Sequence, residues 1–305
     1  MSPTVHQLAP HLYLIVLTPP IRGFQDFIGA WLVRGPEATY LVDVGPAATL
    51  AQLNAALADL DVDHLDYICL THIHIDHAGA VGQLAEQYPS AAVICHPKGV
   101  PHIIDPERLW QGTIKTLGDT GRAYGHILPV NPLRIATANQ LASAPFRLLD
   151  TPGHSPHHFA IVADGYLFAG EAGGVCLSLP TGDAYLRPAT PPRFFLETSL
   201  SSLDRLMAVK PGIVCYGHFG CQQQGIKMLA SHRDQLLLWQ AILSAEGAPA
   251  GMPSAGVMDG WVNLLLDKDP RLQGFSQLSP DVQVRERGFL LNSVRGFAGY
   301  LAGQS

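Results

Sequence analysis

The chain has 305 residues, of which 47% are hydrophobic and 14% are charged, a balance that is typical of a globular protein and excludes a disordered one. Its formal net charge is −6 and no long basic run occurs, so a nucleic-acid partner is not expected. The N-terminus lacks the pattern of a secretory signal peptide, and no run of about 18 apolar residues predicts a membrane span. Because the five cysteines are scattered and are predicted to be reduced thiols, we expect a cytoplasmic protein.

The first part of the chain alternates short apolar runs with amphipathic helical stretches, separated by turns rich in glycine and proline. The predicted strands are 12–17, 28–33, 40–44, 67–70 and 92–95, and the predicted helices are 49–60 and 79–87. This alternation predicts an α/β layered domain.

Residues 98–140 interrupt the alternation, and we interpret them as an insertion with a helical centre at 109–124, placed near the edge of the sheet where a site would form. Strands resume at 146–149, 159–162, 166–169 and 213–216, with a helix predicted at 196–209. From residue 222 onward the strand pattern stops, and helices are predicted at 226–246 and 282–301. The sequence therefore predicts an α/β domain of residues 1–222 followed by a helical appendage of residues 223–305.

The segment 71–77, Thr-His-Ile-His-Ile-Asp-His, directly follows a predicted buried strand, which is where α/β folds build their sites. Three imidazoles and one carboxylate cannot be buried without partners. A divalent metal supplies such a partner, and zinc, iron and manganese all accept these donors. We therefore predict a metal site here, with a polar surface loop as the alternative. The candidate ligands are His72, His74, Asp76 and His77.

Three further candidates lie just past predicted strands, and these are His154, Glu171 and His218. Each is a weak indication alone, because a single histidine after a strand is more often a hydrogen-bonded structural residue. Taken together with the 71–77 segment, they supply enough ligands for two metal ions.

These residues resemble the metallo-β-lactamase superfamily over residues 1 to about 222. The H-x-H-x-D-H motif matches 72–77, and the early D-x-G motif matches Asp43. The resemblance implies a four-layer αββα sandwich with the metals in a cleft along one edge. It also implies one metal on His72, His74 and His154 and a second on Asp76, His77 and His218, with Glu171 as the bridge.

Glu171 departs from the aspartate that is usual at the bridge. The extra methylene adds roughly 1.5 Å of reach, so Glu171 either binds the metals or lies beside them without binding. His158 is interpreted as a buried hydrogen-bonding residue, and His157 as a candidate for facing the cleft. His96 and His126 are not predicted to be ligands.

The function that follows is metal-assisted hydrolysis of an ester-like bond in a small-molecule substrate, namely a carboxylic ester, lactone, thioester or phosphoester. Two divalent ions about 3.5–4 Å apart can activate a shared water as hydroxide. Zinc is the first expectation, with iron or manganese as alternatives. Asp76 is the predicted catalytic residue, because a carboxylate beside the nucleophilic water can carry a proton to the leaving group.

Two other classes of function stay open, a non-catalytic ligand-binding or regulatory protein on the same scaffold and a di-iron redox protein. Candidates for contacting an anionic substrate, with ordinary surface charge as the alternative, are Arg187, Arg193, Lys115 and Arg122. The C-terminal helices are predicted to wall the substrate pocket or to form a homodimer surface, with simple burial on the parent domain as the alternative.

Overall fold

A computed structural model of the chain describes residues 4–136, 138–247 and 251–303. The chain forms two compact units. The first unit runs to Leu148 and includes Ile161–Asp164, and the second comprises Leu149–Ala160 and the chain from Gly165 onward.

The first unit is built on a six-stranded sheet in the order β1-β2-β3-β4-β5-β6. Neighbours from β1 to β4 are antiparallel, whereas β4, β5 and β6 run parallel to one another. Its strands are β1 (Thr4–Ala9), β2 (Leu12–Leu17), β3 (Ile28–Arg34), β4 (Thr39–Val42), β5 (Tyr67–Cys69) and β6 (Ala92–Ile94).

Continuous apolar sequence explains the central strands of this sheet. Every residue of β2 is buried, and so is every residue of β3 except Arg34, as expected for strands covered on both faces. Strand β1 is largely exposed and lies at the sheet edge. It was not predicted, because its residues lack a run of buried apolar side chains.

The helices of the first unit lie between and after these strands. They are α1 (Leu50–Asp59), α2 (Ile75–Ala78), α3 (Val81–Gln87), α4 (Val100–Ile104), α5 (Glu107–Leu117), α6 (Asp119–Tyr124) and α7 (Ala138–Ala142). The single helical centre predicted at 109–124 is divided at Gly118, whose φ of 56° no helix accepts.

A five-stranded sheet in the order β13-β12-β9-β8-β7 belongs mainly to the second unit, together with a two-stranded sheet of β10 and β11. The strands are β7 (Arg147–Asp150), β8 (Phe159–Ala163), β9 (Tyr166–Gly170), β10 (Val175–Ser178), β11 (Ala184–Arg187), β12 (Ile213–Tyr216) and β13 (Cys221–Gln223). Strands β9 and β12 are parallel neighbours, so their carboxyl ends reach the same sheet edge.

Helices complete the second unit, and these are α8 (Leu196–Ala208), α9 (Gly225–Ala245), α10 (Ala255–Lys268) and α11 (Pro280–Gly303). Helix α9 buries Leu229, Leu236, Trp239 and Leu243, which recur at helical spacing. The helices predicted at 226–246 and 282–301 are thus confirmed. No helix among the described residues combines the length and the apolar character needed to cross a bilayer, and all five cysteines are free thiols.

Candidate metal centre

The loop after β5 and the short helix α2 bring four predicted ligands together within the first unit. His72 Nε2 lies 3.0 Å from His74 Nδ1, and His77 Nε2 lies 3.9 Å from Asp76 Oδ2. Two ligands of one tetrahedral zinc are about 3.3 Å apart, given metal–nitrogen distances of about 2.0–2.1 Å. The distance between His72 and His74 therefore suits two ligands of one ion, and the distance between Asp76 and His77 is slightly longer than this value.

Asp43 organises this cluster from the end of β4. Its carboxylate accepts hydrogen bonds from the Thr71 backbone N–H at 2.8 Å, from Thr71 Oγ1 at 2.8 Å and from His77 Nδ1 at 2.9 Å. Strands β4 and β5 are parallel neighbours, so the residues that follow them meet at one edge.

These hydrogen bonds determine which ring nitrogen of two histidines carries the hydrogen. A carboxylate only accepts, so His77 donates through Nδ1 and its Nε2 lone pair is left for a metal. Thr71 Oγ1 donates to Asp43 and can accept from His72 Nδ1, which lies 3.1 Å away. His72 and His77 are almost fully buried. Both rings are therefore fixed by the protein before any metal binds.

The second unit brings together the other three predicted ligands, at the ends of the parallel strands β9 and β12 and in the loop after β7. Glu171 Oε2 lies 2.9 Å from His154 Nε2, and Glu171 Oε1 lies 3.7 Å from His218 Nε2. The two oxygens of one carboxylate thus face two different histidines. His154 Nδ1 donates to the Ala189 carbonyl at 2.8 Å, which again leaves Nε2 free for ligation.

His158 is a buried hydrogen-bonding residue, as predicted. Its Nε2 accepts from the Glu171 backbone N–H at 3.2 Å, and its Nδ1 donates to Thr151 Oγ1 at 2.8 Å. His157 is half-buried and lies 3.0 Å from Ser155 Oγ through Nδ1.

A pocket opens beside His154 and Glu171 within the second unit. It is lined also by Phe194 and Ser199, and by His232 and Leu236 of α9. His232 is buried, and this burial is the main cause that lowers its pKa to about 4, so the imidazole is neutral at pH 7. Its Nδ1 lies 3.3 Å from Gln235 Oε1.

Both interpretations of Arg187, as a contact for an anionic substrate and as ordinary surface charge, are wrong. Arg187 is only 2% exposed, and its guanidinium forms a buried ion pair with Glu286 of α11. Arg122 is exposed and pairs with Asp119, and Lys115 and Arg193 are exposed at the surface.

Sequence reasoning missed His232 and the Ala189 carbonyl. His232 lies in the buried stripe of α9 with Leu229 and Leu236, and a histidine in an apolar stripe is a signal that could have found it. The Ala189 carbonyl has no sequence signal, because every residue carries one.

Imidazoles and carboxylates gathered at the ends of parallel strands define an α/β protein with candidate metal sites. Residues 25–218 match the family model of the metallo-beta-lactamase superfamily, and the chain belongs to that superfamily, whose members are mostly hydrolases. The predicted fold class is thereby confirmed, including the C-terminal helices.

Several relatives have curated names or solved structures. The chain is 28% identical over 224 residues to the metallo-beta-lactamase fold-containing protein ST1585 of Sulfurisphaera tokodaii, covering 70% of this chain and 80% of the relative. The crystal structure of that archaeal protein matches with a TM-score of 0.63 and 25% identity, covering 87% of this chain and 98% of the other. A hydroxyacylglutathione hydrolase of Xanthomonas campestris pv. campestris is 31% identical over 201 residues, which cover 65% of this chain and 63% of that enzyme.

Proposed function

We propose that this protein is a metal-dependent hydrolase that holds two divalent ions, with zinc as the first expectation. The first ion would take His72, His74 and His154, the second would take Asp76, His77 and His218, and Glu171 would connect them. The observation that carries this proposal is the direction of the two Glu171 oxygens, one toward His154 and the other toward His218. The superfamily match covers residues 25–218, which include all seven of these residues.

The donor set fits such ions. His77 and His154 each donate through Nδ1 to an oxygen that can only accept, so their Nε2 atoms are available as neutral imidazole ligands. Mixed imidazole and carboxylate donors suit zinc, iron and manganese.

When bound, divalent ions in such a site activate water and polarise the electrophilic oxygen of a substrate. The protein's own residues would orient the reactants and move the proton. Asp76 is 16% exposed, beside the buried His77, so its carboxylate can exchange protons with a substrate. It would accept the proton of the attacking water and deliver it to the leaving group.

We propose an ester-like bond as the one cleaved, with an uncharged group beside it. None of the residues that line the pocket next to His154 and Glu171 is lysine or arginine, and Arg187 is held by Glu286. This side of the candidate site therefore offers a substrate no positively charged side chain, which supports an uncharged group there, in contrast to the anionic hydroxyacylglutathione that gives one relative its name.

The test is metal content of freshly purified protein, paired with hydrolysis of a panel of phosphodiester, thioester, lactone and carboxylic ester substrates. About two metals per chain and turnover of at least one class are expected. Asp76→Asn should remove turnover, while Asp63→Asn is the matched control, because it makes the same change at an exposed aspartate outside the proposed ligand set. Full activity of Asp76→Asn, or no metal and no turnover after reconstitution, would contradict the proposal and favour a binding protein.

The substrate preference has its own test. Two thioesters with the same acyl group and different thiols, glutathione and N-acetylcysteamine, differ in charge at the leaving group. We expect the larger kcat/KM for the uncharged thioester. A preference for the glutathione thioester would refute the proposed pocket chemistry and leave the metal-dependent hydrolase standing.

A further inference from the structure

The ring of His154 is oriented by a backbone carbonyl. His154 Nδ1 donates to the Ala189 oxygen at 2.8 Å, and Ala189 lies two residues after the end of β11. The carbonyl can only accept, so it fixes the hydrogen on Nδ1 and the lone pair on Nε2. Whatever holds the Ala189 carbonyl in place therefore controls the direction of the His154 ring.

Both neighbours of Ala189 are bonded to one serine of α11. Thr190 Oγ1 donates to the Ser293 carbonyl at 2.9 Å, and Ser293 Oγ donates to the Pro188 carbonyl at 3.1 Å. Thr190 and Ser293 are buried, so water does not compete for these hydrogen bonds. The segment 188–190 is thus attached to α11 on either side of Ala189.

The residue before this segment is attached to the same helix. Arg187 bonds Glu286 of α11 through Nε and Nη2, and its Nη1 donates to the Pro188 carbonyl at 3.2 Å. Glu286 is fully buried; burial raises its pKa, but Arg187 and Arg285 outweigh this and hold it below its usual range, so the pair stays charged at pH 7.

Helix α11 approaches the segment closely enough to require a glycine. A Cβ at Gly296 would lie 2.4 Å from the Pro191 oxygen and 2.7 Å from Thr190 Oγ1. Next to it, the Phe297 ring lies 4.7 Å from that of Phe194, centroid to centroid. The contact between helix and segment is therefore tight in both its polar and its apolar parts.

We propose that α11 is a positioning element for His154, acting through Ser293, Thr190 and the Ala189 carbonyl. This assigns the C-terminal helix a part in preparing a ligand for metal, and it rests on the proposed function because it takes His154 as a ligand. Partners of metal-binding histidines typically change metal affinity by about 10–100-fold when they are removed.

The main variant is Thr190→Val, which removes the hydrogen bond to the Ser293 carbonyl and keeps the side-chain shape. We expect one of the two metal equivalents to bind about tenfold more weakly or worse, measured by competition with a chromophoric chelator. Thr190→Ser keeps the hydroxyl and should restore the affinity. If Thr190→Val does not fold, Ser293→Ala provides the same test, because it removes the bond to Pro188.

The matched control is Tyr300→Phe, on the same helix. Tyr300 donates to Glu197 Oε1 at 2.6 Å and does not contact 188–190 through that bond. Metal affinity unchanged in Thr190→Val, or reduced equally in Tyr300→Phe, would overturn the proposal.

A second readout does not depend on metal. The Nδ1–H proton of His154 should give a slowly exchanging NMR signal in metal-free protein, identified by its loss in His154→Gln, and it should broaden or shift in Thr190→Val. If the wild-type protein binds no metal, the proposed function fails, and this signal still decides whether α11 positions His154. An unchanged signal in Thr190→Val would refute that role.

Discussion

Asp43 combines an unusual backbone with a buried charge. Its φ of 58° lies in the left-handed region, which aspartate tolerates better than most residues. The side chain is 2% exposed, so its charge depends on the three hydrogen bonds from Thr71 and His77. One carboxylate thereby links the end of β4 to both ends of the ligand segment 71–77.

We expect Asp43→Asn to weaken metal binding. An amide can still accept from the Thr71 backbone, but its nitrogen cannot accept from His77 or from the Thr71 hydroxyl. The loss of this orienting bond should lower metal affinity by about 10–100-fold, measured by chelator competition. Asp66→Asn is the control, because Asp66 is partly exposed and bonds His64 at the surface. Equal effects of the two substitutions would argue against an orienting role for Asp43.

His158 is expected to stabilise the fold, whereas the nearby His154 is proposed to bind metal. It bonds Thr151 and the Glu171 backbone, both within the protein. His158→Ala leaves two buried partners unsatisfied, so we expect the free energy of unfolding to fall by about 2–4 kcal/mol. Urea denaturation with and without a chelator measures this. The loss should persist when the chelator is present, whereas His154→Ala should matter mainly with metal present. A loss in His158→Ala that disappears with the chelator would contradict this structural role.

At the scale of the element, α9 carries a buried histidine that makes stability depend on pH. His232 has a folded pKa of about 4 against 6.5 as its ordinary value. Above pH 6.5 it is neutral in both states, and as the pH falls the unfolded chain takes up a proton that the folded chain does not. Stability is therefore lost between pH 6.5 and 4, by about 3 kcal/mol in total.

His232→Leu should remove the part of the pH-dependent loss of stability that His232 causes. We expect a smaller difference in unfolding free energy between pH 7 and pH 4 than in the wild-type protein, measured by urea denaturation at each pH. His6→Gln is the control, because His6 is exposed on β1, and it should leave the difference unchanged. A His232→Leu protein with the full wild-type pH dependence would show that other groups carry it.

Strands and helices with a continuous or periodic run of apolar residues could be predicted from the sequence. Those that depend on contacts with distant residues could not. Strand 12–17 and helix 226–246 have continuous or periodic apolar residues, and the structure has them within one residue. Strand β11 was not predicted from the sequence, because two of its four residues depend on partners that are distant along the chain. The Leu186 carbonyl accepts a hydrogen bond from Gln235, and Arg187 pairs with Glu286.

The same reasoning applies to the site. Ligand candidates within 71–77 are local in sequence, so their clustering was predictable. The Ala189 carbonyl, which orients His154, could not be predicted, because this contact between residues 154 and 189 exists only in the folded chain.

At the scale of the molecule, the C-terminal helices share one compact unit with the strands that bear Glu171 and His218. Trp239 is fully buried and donates to Asp269, which is itself buried and also accepts from Gln235. Leu236 and Trp239 of α9 are both buried, and Leu236 also lines the pocket beside His154 and Glu171, where the C-terminal helices were predicted to form a wall.

Removal of residues 223–305 should therefore prevent stable folding of what remains. Truncation would expose Leu186 and leave the Arg187 guanidinium without Glu286, and an unpaired buried charge is among the costliest defects in a protein. We expect the 1–222 chain to lose its cooperative urea transition, measured by circular dichroism. The control is the full chain cleaved at a protease site introduced at the exposed Met252, which breaks the backbone but keeps the helices, and which should stay folded. A 1–222 chain that unfolds cooperatively would instead support the predicted boundary at residue 222, with the helices as a separable appendage.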